Sequence, residues 1–160
     1  MGKVIRSFTN GYPGAVSRSV DNVIISMKNG SGAAIPFGAP VFLIAGDNSC
    51  RGFAADSSTA ANFLGFAVRA ADKTPDTYGS SDAVFAADDP VDILVRGSTV
   101  LRFANNAVPS ASVYVRKSDG SLVTSSGAEG STIQLPNVTV RTARDENDRA
   151  EVVITKRNLM

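Results

Sequence analysis

The chain has 160 residues, 43% hydrophobic and 19% charged, which is enough apolar material for one domain to bury a core and too much for a disordered chain. Sixteen basic residues against fifteen acidic ones leave a formal charge of +1, so no global field draws in nucleic acid or an anionic membrane. With no histidine and one cysteine, Cys50, the sequence excludes His-based triads, an intramolecular disulfide and multi-cysteine zinc or iron–sulfur sites.

The opening stretch MGKVIRSFTNGYPG has two early basic residues and no apolar run behind them, and no segment approaches the roughly 18 apolar residues of a membrane span. The expectation is a soluble protein made in the cytoplasm. Residues 1–20 hold Lys3, Arg6 and Arg18 without an acidic residue and set two glycines and a proline around Tyr12. They read as an extended arm, too poor in apolar area to bury against its own domain and therefore mobile or held by another chain. Residues 21–160 form the domain, and removing residues 2–18 is expected to leave it folded.

Within it, helix signals are scarce and Gly, Pro, Asn or Asp interrupt the chain every ten residues or so. Residues 23–27 (VIISM) are a β-branched strand run ending in the turn-rich 28–32, and 41–45 (VFLIA) form a second strand, buried on both faces. Residues 57–62 allow one helical turn. In 63–70 (FLGFAVRA), Gly65 leaves room for a neighbouring backbone to pass closely. The clearest strand signal is 91–103, in which Gly97-Ser98 either bulges a long bent strand or turns a tight hairpin. Residues 112–117 and 122–124 form a hairpin about Asp119-Gly120, and 132–135, 138–142 and 151–156 supply the last strands. About nine strands with frequent turns predict an all-β chain: a single β-barrel or sandwich-like domain of short antiparallel strands with an extended N-terminal arm.

No constellation of residues carries a catalytic or cofactor signature. The acidic loop Asp145-Glu146-Asn147-Asp148 lacks the ligand spacing and turn glycine of a calcium loop and reads as a solvated hairpin. Residues 30–35 begin like a dinucleotide fingerprint, but Ile35 takes the place of the third glycine and no helix follows. Cys50 reads as a small apolar side chain. Arg69, Arg96, Arg102, Arg116 and Arg141 recur on or near strands; they fit a phosphate-binding stripe less well than ion pairs with carboxylates of this chain or a partner.

Several segments together resemble one family: GYPGAVSRSVDNVIISM at 11–27, IPFGAPVFL at 35–43, FLGFAVRAA at 63–71, DPVDILVRGSTVLRF at 89–103, SVYVRKSDGSLV at 112–123 and AEVVITKRN at 150–158. Their order and spacing resemble the structural cement, or capsid decoration, proteins of tailed bacteriophages. The resemblance implies a non-enzymatic protein, without cofactor or metal, that binds the outer surface of the assembled head and bridges neighbouring major capsid protein subunits. It implies synthesis in the bacterial cytoplasm, residence on the virion, and a homo-oligomer, with a trimer favoured over a dimer; nucleic acid and membrane are not among its partners. The interface candidates are Arg6, Phe8, Tyr12, Pro13 and Arg18 in the arm, then Arg96 and Arg102. The alternative is a β-barrel binding module for oligonucleotide or carbohydrate, or a hydrolase working through carboxylates alone.

Overall fold

A computed structural model describes residues 10–70 and 83–158. Among them are eleven strands and one 3-10 turn, Ala60–Asn62. The strands are β1 (Val16–Asn29), β2 (Ile35–Pro36), β3 (Pro40–Leu43), β4 (Ser49–Arg51), β5 (Phe63–Ala67), β6 (Val84–Phe85), β7 (Pro90–Arg102), β8 (Ser112–Arg116), β9 (Leu122–Val123), β10 (Thr132–Val140) and β11 (Arg149–Ile154). The all-β prediction holds. Two of the strands are long, and β1 pairs with β4 in parallel, so the sheet is mixed and not built of short antiparallel strands alone.

β7 is the spine. One of its edges takes β1 along almost its whole length, and the other takes β5 near its start (Leu94↔Phe66) and β11 towards its end (Val100↔Glu151). The pairings β1–β4, β4–β3, β3–β5, β5–β7 and β7–β1 return to their starting point, so these five strands close into a barrel. Beyond β7 the order runs β11, β10, β8, β9, and a second ring is drawn shut where the Ala104 amide donates to the Leu122 carbonyl at 2.9 Å. Closure removes the exposed edges that an open sheet would present to other chains.

Each ring has its own core. Met27, Val41, Cys50, Leu64, Ala67 and Ile93 fill the first, which Ile35, Phe37 and Phe85 close over. Leu101, Val113, Val115, Leu135, Val140 and Val152 fill the second. Phe42, Phe63 and Phe66 belong to this second core although they lie on β3 and β5 of the first ring. Those two strands are therefore the wall between the cores, which is why residues 41–42 and 63–67 are buried on both sides; the apolar run at 41–45 predicted this for β3, whereas 63–70 reads from the sequence as an alternation of large apolar with small or polar positions.

A strict alternation would put Phe63 and Phe66 on opposite faces. The register slips between Val41↔Gly65 and Phe42↔Phe63, so β5 carries an extra residue and both rings reach the same core. Gly65 sits in this bulge. A Cβ there would lie 2.8 Å from the Leu94 carbonyl carbon and closer still to its oxygen, so only glycine lets β7 pass. Gly97-Ser98 resolves as the bend of one continuous strand: Gly97 takes φ +119°, and the Ser98 amide donates to Asn22 Oδ1 at 3.3 Å. The segments 132–135 and 138–142 likewise merge into β10, bent at Pro136-Asn137 where Asn137 has φ +59°.

Candidate attachment face

The chain from residue 10 onward is fastened to its own domain, which corrects the expectation of a loose arm over 10–20. Polar contacts achieve this without buried apolar area. The Asn10 amide donates to Asp145 Oδ2 at 2.8 Å, its Nδ2 reaches the Arg149 carbonyl at 2.7 Å, and Arg149 Nη1 donates to the Gly11 carbonyl at 2.8 Å. The Gly14 amide donates to the Val100 carbonyl at 2.9 Å, and β1 begins two residues later. Asp145 thus turns the acidic loop into an anchor. Burial works to raise its pKa, but amide hydrogen bonds from Asn10, Arg149 and Asn147, with the Arg149 charge, hold it below the ordinary aspartate range.

Of the interface candidates, Arg6 and Phe8 lie outside the described residues. The other five fall into two places and the ring between them. Pro13 and Arg102 line an apolar groove of about 550 Å³ with Phe37, Phe103 and Leu122. Tyr12 is 52% exposed and its ring lies between two guanidiniums, Arg149 at 4.9 Å and Arg69 at 5.4 Å from the centroid. Arg18 and Arg96, although 78 positions apart in numbering, meet in a second concavity with Asp21, Ser98, Arg141 and Val153.

Glu151 on β11 organises this second place. It is only 6% exposed and is reached by Ser17 Oγ and Arg18 Nε, both at 2.8 Å. Burial pushes its pKa upward; the hydrogen bonds from Arg18 and Ser17 and the charges of Arg18 and Arg141 outweigh that and hold it below the usual glutamate range. Beside it, Arg96 pairs with Asp21 at 2.5 Å across the mouth. Asp21 adopts φ +71° where β1 leaves the register of β7 between Arg18 and Val23, so residues 19–22 swing out of the sheet.

That bulge lifts Val20 to 85% exposure. Six large hydrophobic side chains are exposed among the described residues, and four of them, Tyr12 just before β1 and Val16, Val20 and Ile24 on it, follow one another at four-residue spacing. An apolar series concentrated on one element is the signature of a contact surface, unlike hydrophobics scattered singly. Sequence reading picked out Tyr12 here but passed over Val16, Val20 and Ile24. Cys50 is buried in the first core, and burial pushes its thiol up to about 11, as expected for an inert side chain.

The model of the structural cement protein family (E217 gp24/Pam3 gp6) matches residues 3–155. The chain belongs to this family of phage structural proteins. A search of curated proteins finds no match. Among solved structures, a chain from the capsid of Myoviridae phage XM1 has the same fold, with a TM-score of 0.73 and 18% identity over 96% of this chain and 95% of that one. The capsid resemblance read from the sequence therefore stands at the level of family and fold.

Proposed function

We propose that this cement protein attaches to the outer surface of the assembled phage head and bridges neighbouring major capsid protein subunits, stabilising the shell by adhesion and not by catalysis. The observation that carries the reading is the family match across residues 3–155. The exposed series Tyr12, Val16, Val20 and Ile24, of which Val20 lines the second concavity with its arginines, supplies apolar and charged anchors of the kind that dominate protein interfaces. A ligand that binds only the expanded shell stabilises that state by its differential affinity, and many copies, or the several arms of a homo-oligomer such as a trimer, multiply a weak contact into avidity. The protein then resides on the virion after synthesis in the host cytoplasm.

The test uses purified protein and expanded heads lacking it. Saturable co-sedimentation and added density on the outer surface between capsid subunits, with heads that survive higher temperature, are the expected result. Val20→Asp is expected to reduce attachment. Failure to bind heads, or a preference for free oligonucleotide or glycan over heads, would refute the reading.

A further inference from the structure

We propose that the concavity between β1, β7 and β11 receives one carboxylate, an aspartate or glutamate side chain of the shell subunit, with Arg141 as its recognition residue; this rests on the attachment reading above. Three guanidiniums face this space, those of Arg18, Arg96 and Arg141. Two are already matched by acids of the chain, Arg18 to Glu151 at 2.8 Å and Arg96 to Asp21 at 2.5 Å. Arg141 donates from Nη1 to Ser98 Oγ at 3.0 Å and has no carboxylate within ion-pair range among the described residues. Its remaining N–H donors form a planar fork suited to a bidentate acid.

Glu151 cannot be released to fill the role, because it is buried and held by Ser17 and Arg18. Three cations against two anions leave one positive charge in a concavity of an otherwise almost neutral chain. One unit charge matches a carboxylate, whereas a phosphomonoester brings close to two. Val20 and Val153 line the same space and offer apolar surface against which the methylene stem of an incoming acidic residue packs.

The experiment measures attachment of the full chain to heads lacking it, at low occupancy, from low to physiological salt. Arg141→Gln is expected to weaken attachment about tenfold per copy and to flatten its salt dependence, while Arg141→Lys recovers part of the loss. Arg116→Gln removes the same charge from a guanidinium already paired with Asp119 at 3.2 Å and is expected to attach like wild type. Thermal melts of each variant verify folding; Arg141 is exposed, so its replacement leaves the core intact. Wild-type attachment by Arg141→Gln overturns the assignment while leaving the attachment reading standing. Absence of attachment by the unaltered chain overturns both. Acetate competing at least as well as inorganic phosphate at equal ionic strength supports a carboxylate receptor, and strong competition by phosphate alone refutes it.

Discussion

The wall between the two cores depends on Gly65, and Gly65→Ala tests that directly. The added methyl would lie 2.8 Å from the Leu94 carbonyl carbon and 3.2 Å from Ile93 Cγ2, so the principal obstacle is backbone and not the end of a flexible side chain. β5 and β7 must separate to admit it, at the pairs Phe66↔Leu94 and Ala67↔Ile93 that join the wall to the spine. Overpacking a dense core costs about 1–3 kcal/mol, and a collision with fixed backbone belongs at the upper end. Restricting the unfolded chain returns about 0.4–1 kcal/mol. The net loss is about 2 kcal/mol, or roughly 4–8 °C in Tm for a chain of this size. Gly52→Ala is the control: its Cβ would meet only Ile35 Cγ1, at 3.6 Å, an ordinary contact, and its effect should stay within about 0.5 kcal/mol. Urea unfolding followed by far-ultraviolet circular dichroism reads both, as a fall in midpoint at unchanged slope. Equal midpoints for the two variants would show that β5 does not pass β7 as closely as described.

Two further predictions concern the N-terminal segment and its acids. A chain starting at Asn10 keeps the contacts to Asp145 and Glu151, whereas one starting at Ser19 loses Asn10, Ser17 and Arg18 and leaves a buried carboxylate without its main donors. The shorter chain is expected to unfold at clearly lower urea concentration, and equal midpoints would refute the fastening role assigned to these residues. Because Glu151 and Asp145 are held below their unfolded pKa values, the stability they confer is fully present above about pH 5 and is lost as pH falls through the folded values. Glu151→Gln should therefore be less stable than wild type at neutral pH, with a gap that narrows on acidification; a gap independent of pH would exclude the linkage.

Strand positions were readable wherever burial imposes a period or punctuation is strong. The strand in the run 41–45, which ends at Leu43 and is fully buried only at Val41 and Phe42, the hairpin about Asp119-Gly120 and the close approach at Gly65 all follow from local chemistry. What local chemistry does not encode is partnership between distant strands. Nothing in residues 28–29 announces a parallel pairing with Ser49-Cys50, and the choice between bend and turn at Gly97-Ser98 is decided by Asn22 from another strand. Residues 10–20 of the arm were misread for the same reason. Its low apolar content argues against docking only if docking requires apolar area, and here an amide on Asn10 and a carboxylate 135 residues away do the holding. Arg18 and Arg96 could be named from the sequence as interface candidates, but the imbalance from which the proposal for Arg141 is argued exists only once β1, β7 and β11 bring two acids and three bases together.

The distribution of charge follows from what a cement protein has to do. On the function proposed above, many copies would sit side by side on one shell, and a strong net charge would make each copy repel its neighbours across distances within the Debye length. A formal charge of +1 avoids that penalty, yet attachment still needs electrostatic selectivity. The fold would meet both demands by pairing four arginines internally, Arg18, Arg96, Arg116 and Arg144 with Glu151, Asp21, Asp119 and Asp148, while Arg141 stands in the concavity with no ion pair of its own among the described residues. Holding that concavity on strands of closed rings, with β1 fastened at Glu151, fixes its geometry before the shell is met, so little ordering entropy is lost on attachment. The ion pair that looks like a structural detail, Arg18 with Glu151, therefore couples the stability of the fold to the shape of the proposed attachment site.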